Sequence, residues 1–194
     1  MKLAVASGKG GTGKTFVATS LALCAGRRVQ FLDCDVEEPN GHIFLEPDLA
    51  EPERCIVTIP KVINDKCTFC GKCRDICRFN AIILFAETIM VFPELCHSCL
   101  GCFLVCPDDA LARTEREIGI VESGRAGSIE FVHGRLRVGE AMAIPLLKAV
   151  KKKAKENFLT IMDSPPRNLV SICNNSFRRR LCFPGHGTDP VWSL

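Results

Sequence analysis

Three short runs of almost continuous apolar residues set the frame of this chain. They are Lys2 to Ser7 (KLAVAS), Arg28 to Asp33 (RVQFLD) and Phe158 to Asp163 (FLTIMD), and two of them close on an aspartate. Runs of this length without polar alternation predict strands buried on both faces, as in a parallel sheet. Between the first two, a glycine-rich loop leads into an apolar helix expected from about Lys14 to Ala25. Further on, the pattern predicts strands around Ile129 to His133 and Leu136 to Val138, then a helix from about Met142 to Lys155 that precedes the strand ending at Asp163. From about Pro60 to Arg113 the texture changes to closely spaced cysteines with little helical periodicity. The expected organisation is an α/β domain in two parts, 1–59 and 114–166, interrupted by a cysteine-rich module at 60–113, with an aberrant tail at 167–194.

Composition narrows the class. In 194 residues, 47% hydrophobic content is enough for a core and 24% charged residues suit a soluble protein. A net charge of +3 is too small to point to nucleic acid, so no nucleic-acid partner is expected. No run approaches the ~18 apolar residues of a membrane span, and no signal-peptide pattern precedes the first strand, so no integral membrane segment and a cytoplasmic location are expected. Lys151, Lys152, Lys153 and Lys155 read as a helix C-terminus meeting its dipole.

The loop SGKGGTGKT fits G-x-x-x-x-G-K-[ST] through Gly8, Lys9, Gly10, Gly11, Thr12, Gly13, Lys14 and Thr15. Glycines let backbone N–H groups close around phosphate oxygens, and the helix that follows adds its dipole. In this motif Lys14 reaches the β- and γ-phosphates of ATP and Thr15 ligates Mg²⁺. Structural turns also use glycine freely, but here the motif stands between a strand and a helix, as the mechanism requires.

Cysteine is the compositional outlier, with 13 residues. Cys67, Cys70, Cys73 and Cys77 are spaced C-x₂-C-x₂-C-x₃-C, and Cys96, Cys99, Cys102 and Cys106 repeat the spacing, followed by Pro107. This is the bacterial two-cluster ferredoxin pattern, in which the fourth cysteine of each run serves the other cluster. One [4Fe–4S] cluster is expected on Cys67, Cys70, Cys73 and Cys106, the other on Cys96, Cys99, Cys102 and Cys77. Zinc sites more usually take two cysteine pairs, so the third cysteine of each run argues against zinc. Arg78 stands where the first run would usually carry proline. Cys24, Cys34, Cys55, Cys173 and Cys182 lack such spacing and read as core or incidental residues. His97, between ligands, reads as a donor to the site or as exposed; His42, His133 and His186 carry no argument.

The early Lys9 in KGGTGKT resembles the deviant Walker A loop of the MinD/ParA/Mrp class of P-loop ATPases, and the whole arrangement resembles members of that superfamily with an inserted ferredoxin domain. The resemblance covers Met1 to about Pro166. It implies that Lys9 crosses a dimer interface to the partner's nucleotide, hence an ATP-dependent homodimer. It implies that Asp35, in FLDCDVEEPN, positions the attacking water, with Asp33 supporting Mg²⁺ or the loop. It implies too that Asp163 is the Walker B acid on Mg²⁺, and a carboxylate at the C-terminal end of a parallel strand lies where open α/β sheets bind ligands. For each acid the plainer alternative is a helix cap or turn residue. The expected fold is thus a parallel-sheet P-loop NTPase with an inserted α+β bacterial-ferredoxin-like module.

After Pro166 the resemblance stops. Such proteins continue SPPGTSCP, then a helix and a strand, where this chain reads RNLVSICNNSFRRRLCFPGHGTDPVWSL. Allowed codons for Arg167 to Leu194, reread one nucleotide out of register, can yield GTSCPSATTPSGADFVFLVTEPTPFGL, which suggests a reading-frame error at the Pro165–Arg167 codons. The sheet is then expected to be incomplete beside the phosphate-loop strand, leaving a chain of low solubility or weak activity.

Lys, Thr and Asp in these roles suffice for ATP hydrolysis, which is mainly positioning and charge neutralisation. The leading expectation is Mg²⁺·ATP hydrolysis and dimerisation coupled to electron transfer through two [4Fe–4S] clusters, with a redox or metalloenzyme partner. The alternatives are a nucleotide-sensing ferredoxin without significant ATPase activity, or an iron–sulfur assembly or carrier protein.

Overall fold

The computed structural model describes residues 1–26 and 28–165 and the backbone strand at 179–183. The chain forms two compact units: Met1–Cys55 with Gly119–Leu136 and Ala143–Leu194, and Ile56–Ile118 with Arg137–Met142. The sequence boundaries for the inserted module were 60–113; the second unit takes a wider stretch and a six-residue return segment.

In the first unit the apolar runs become β1 (Lys2–Ser7), β2 (Val29–Asp33) and β9 (Leu159–Asp163), all strongly buried. The sheet order is β10-β1-β9-β2-β8-β7-β3, where β3 is Asp48–Leu49, β7 Leu111–Ala126, β8 Ile129–Leu136 and β10 Arg179–Phe183; β4 (Glu53–Val62) also pairs with β7. The strands β10, β1, β9, β2 and β8 run parallel, while β7 runs antiparallel to β8 and β3 antiparallel to β7. The sheet is therefore mixed but mostly parallel. Its continuous apolar strands follow from burial on both faces: α1 (Lys14–Cys24) packs Ala18 and Ala22 into a core with Val5, Phe31, Phe131 and Ile161. The rings of Phe31 and Phe131 stack with centroids 5.7 Å apart.

Two expectations change here. The strands expected at Ile129 to His133 and Leu136 to Val138 are one strand, β8, and Val138 is fully exposed. Gly134, which reads as a break, is a strand residue. A Cβ there would lie 2.8 Å from Val150 Cγ2 and 2.9 Å from Val36 Cγ1, so glycine is what lets α5 (Ala143–Lys152) lie on the sheet. The edge of β1 expected to be open is taken by β10, in parallel register from Leu3↔Arg179 to Ser7↔Phe183. A parallel pair needs only backbone donors and acceptors at matched spacing, so an aperiodic side-chain sequence does not prevent it. The remaining tail, 166–178 and 184–194, including Cys173, lies outside the described residues, as does the proposed frame change itself.

Of the basic run, Lys151 and Lys152 end α5, as read. Lys153 instead pairs with Glu53 at 2.5 Å and Lys155 with Glu130.

The second unit is built on an internal repeat offset by 29 residues, which aligns Cys67 with Cys96 and Cys77 with Cys106. A 3-10 turn at Asn64–Lys66 and α3 (Lys72–Ile76) recur as Pro93–Leu95 and α4 (Gly101–Val105). The backbone repeats as well. Left-handed conformations fall at Phe69 and Ser98 (φ 54 and 51), Gly71 and Leu100 (φ 77 and 64), and Asn80 and Asp109 (φ 52 and 46). Gly71 and Leu100 precede α3 and α4, so the second copy holds leucine where the first uses glycine, at a conformational cost. A hairpin of β5 (Ile82–Phe85) and β6 (Thr88–Val91) separates the copies.

Candidate functional site

The phosphate loop bridges β1 and α1 and lies exposed from Gly8 to Gly13. Gly11 and Gly13 adopt φ of 69° and 81°, a region that excludes most side chains, so these glycines set the loop's path. Ser7, at the end of β1, donates to the Lys9 carbonyl at 2.7 Å and shares a 2.7 Å hydrogen bond with Thr12. The Lys14 ammonium, itself buried, donates to the same Lys9 carbonyl at 3.1 Å. Lys14, Ala18 and Ala22 lie on the buried side of α1, which directs Lys14 back into the loop.

Thr15 Oγ1 donates to Asp163 Oδ2 at 2.5 Å, closing the 148 residues between them. Oδ1 of Asp163 is buried without a hydrogen-bond partner among the described residues. A buried carboxylate oxygen normally finds a donor, and an orphaned one beside a threonine hydroxyl fits a hard cation such as Mg²⁺, whose usual ligands are oxygens. Burial raises the Asp163 pKa to about 6; the Thr15 hydrogen bond and Lys14 oppose this and Asp35 adds to it.

Asp33 and Asp163 sit opposite each other on β2 and β9. Burial and the Asp163 charge raise Asp33 to about 7. Its oxygens accept the backbone N–H of Asp35 at 3.1 Å and of Gly41 at 2.8 Å. A Cβ on Gly41 would come within 2.6 Å of Phe31 and 2.9 Å of Asp33 Oδ2, so glycine lets the chain close onto this carboxyl. Asp33 therefore anchors the loop that carries Asp35. Asp35 is half-buried, with its pKa raised by burial and countered by backbone hydrogen bonding and Lys14. The structure thus brings Lys14, Thr15, Asp35 and Asp163 into one electrostatic group at the carboxyl ends of β1, β2 and β9.

The cysteines gather differently from their order in the sequence. One hollow is lined by Cys77, Cys96, Cys99 and Cys102, with Phe79 and Ile82 among its apolar walls. A second is lined by Cys67, Cys70, Cys73 and Cys106. Each hollow takes three cysteines from one run and the fourth from the other. Among the described residues no three His, Cys, Asp or Glu side chains converge to hold a single metal ion. Four thiols around a hollow suit instead a cluster whose irons each take one thiolate.

Burial favours the neutral thiol at both places, and backbone donors oppose it. Burial raises Cys73, Cys96 and Cys102, the last to about 11, while N–H groups of Arg74, Ser98 and Phe103 respectively act the other way. The Ala110 N–H donates to Cys106 Sγ at 3.2 Å. His97 stacks on Phe79 with centroids 3.7 Å apart, at the rim of the first hollow. Cys34 is fully buried, Cys55 half-buried and Cys24 exposed.

Two features escaped the sequence reading. Ser7 pins the phosphate loop, and its place at the strand end just before Gly8 was an available signal. Arg116 and Glu140 form a buried ion pair, with Arg116 Nη2 3.3 Å from Glu140 Oε1 and 3.4 Å from the Cys96 carbonyl. Neither sequence spacing nor composition marks that pair.

Comparison with known proteins adds three findings. Residues 3–178 match the CobQ/CobB/MinD/ParA nucleotide binding domain. The chain is 37% identical over 172 residues to Uncharacterized protein MJ0578 of Methanocaldococcus jannaschii, a match that takes 86% of this chain and 60% of that protein. It is also similar, over 57 residues and at 32% identity, to Ferredoxin-1 of Chlorobaculum tepidum, covering 26% of this chain and 92% of the ferredoxin. The chain therefore spans about 60% of the length of the long relative it matches. No helix among the described residues is long and apolar enough to cross a membrane.

Proposed function

Because the chain belongs to the CobQ/CobB/MinD/ParA nucleotide binding domain family, we propose that it is an ATP-dependent iron–sulfur protein: Mg²⁺·ATP hydrolysis and dimerisation are coupled to electron transfer through two [4Fe–4S] clusters. The observation that carries this reading is the coexistence in one chain of the Thr15–Asp163 contact beside Lys14 and two separate hollows, each lined by four cysteines.

At the loop, Gly8 to Gly13 present backbone N–H groups to phosphate oxygens. Lys14 exchanges the Lys9 carbonyl for phosphate oxygens and neutralises their charge. Thr15 and Asp163 hold Mg²⁺, and Asp35 orients the attacking water. Lys9 reaches the nucleotide of a second copy, so the active state is a dimer. Cys67, Cys70, Cys73 and Cys106 hold one cluster and Cys96, Cys99, Cys102 and Cys77 the other. Held there, such clusters would supply one-electron carriers between a low-potential one-electron donor protein and a redox or metalloenzyme partner. Complete four-thiolate ligation favours electron transfer over cluster delivery, since a cluster to be handed on is better held by few, exposed ligands.

The test measures both cluster midpoint potentials and the ATPase rate, with and without Mg²⁺·ATP, in the protein and in Lys14→Ala. The expected result is a nucleotide-dependent shift in the protein that Lys14→Ala abolishes together with turnover. Nucleotide binding that shifts potentials without turnover would select a nucleotide-sensing ferredoxin. Potentials and rates unchanged by Lys14→Ala would overturn the coupled reading.

A further inference from the structure

The two cysteine hollows share a backbone repeat, but their charged surroundings differ. Arg116 on β7 is 8% exposed, and its partner Glu140, on the return segment Arg137–Met142, has a side chain 2% exposed. The guanidinium contacts both Glu140 oxygens and points Nη2 at the Cys96 carbonyl, 3.4 Å away. Glu140 is held in turn by the Met142 N–H at 3.1 Å. The residue 29 positions before Arg116 is Glu87, and it is exposed, so this position of the repeat supplies no buried cation to the other site, and Arg74 beside Cys73 is solvent-exposed and paired with Asp75. The other hollow is instead lined by a carboxylate, Asp108, which accepts from Thr68 at 2.7 Å.

We propose that Arg116, held in place by Glu140, is a positioning and potential-setting residue for the site of Cys96, Cys99, Cys102 and Cys77, making it the more readily reduced of the two. This rests on the two-cluster reading above. Reduction adds one electron and hence one negative charge to a cluster, and cluster potential responds to net charge and solvent exposure. A buried cation held against the backbone of one cluster ligand stabilises that added charge. Glu140 partly cancels it, so the two members of the pair act with opposite signs. A pair serving only to brace the fold has no such sign: losing either member loosens the same contact.

The experiment follows the two midpoints by EPR-monitored redox titration of the full chain, reconstituted anaerobically, with Cys70→Ser used to assign which signal belongs to the site without Arg116. In Arg116→Met the midpoint of the Cys96 site falls and the other stays; in Glu140→Gln it rises; Arg116→Lys, which keeps the charge, returns it towards the starting value. Arg116→Lys and Glu140→Gln keep the test decisive where Arg116→Met fails to fold. Shifts of the same sign in Arg116→Met and Glu140→Gln, equal shifts at both sites, or no shift at all would overturn the inference. Iron and sulfide short of two clusters in the unsubstituted protein would instead overturn the two-cluster reading itself.

Discussion

Asp33 and Asp163 face each other across neighbouring strands, both buried and both raised, to about 7 and about 6. A carboxyl whose folded pKa lies above its unfolded value of 3.8 contributes stability that is complete below that value and is lost as pH rises through the folded pKa. For Asp33 the loss begins near pH 4 and is complete only above about pH 7. His133 acts in the other direction: burial lowers its pKa, with the Glu122 hydrogen bond opposing, so its contribution is present above pH 6.5 and is lost only as pH falls further. The nucleotide-free protein should therefore melt at a lower temperature at pH 8 than at pH 6.5. Mg²⁺·ATP should shrink the difference, because a cation held on Asp163 would favour the ionised carboxyls. Differential scanning calorimetry at the two pH values checks both, and a melting temperature that rises with pH would contradict the assignment. Lys14 and Thr15 were legible because their chemistry is written in eight adjacent residues. The sequence leaves Asp33 open between Mg²⁺ and loop support, since only its contacts to Asp35 and Gly41 show which groups it holds.

The elements carry the same division. The strands β1, β2 and β9 were readable because burial on both faces removes polar alternation. β8 was not, because Gly134 has the look of a turn and the function of a packing residue: it brings the backbone close to Val150 and Leu146 of α5. Gly134→Ala should destabilise the protein by about 1–3 kcal/mol, the usual range for overpacking a close contact. Equilibrium urea unfolding measures it. An unchanged midpoint would mean that α5 can move away at no cost. The strand β10 was likewise unreadable, since Arg179 to Phe183 joins β1 through backbone pairing that side-chain pattern does not reveal.

At the scale of the whole molecule, the chain builds each unit from separated segments, and the cysteine sites show why that matters. Cys106 belongs by sequence to the second run and by position to the hollow of the first. On the proposed two-cluster reading, Cys106→Ser should therefore lower iron content by up to about half and perturb the cluster of Cys67, Cys70 and Cys73, leaving the spectrum of the other. Iron and sulfide analysis with EPR of the reduced protein checks this, and selective loss of the Cys96 cluster would show that ligation is not crossed. The sequence by itself determined the α/β class, the phosphate loop and the membership of both cysteine groups, because each depends on short-range spacing or on burial that leaves a compositional trace. Only the tertiary structure decided the partner of Asp163, the single strand through Gly134, the strand beside β1 and the Arg116–Glu140 pair. Those depend on residues far apart in the chain, whose meeting is set by packing and backbone pairing rather than by any local pattern.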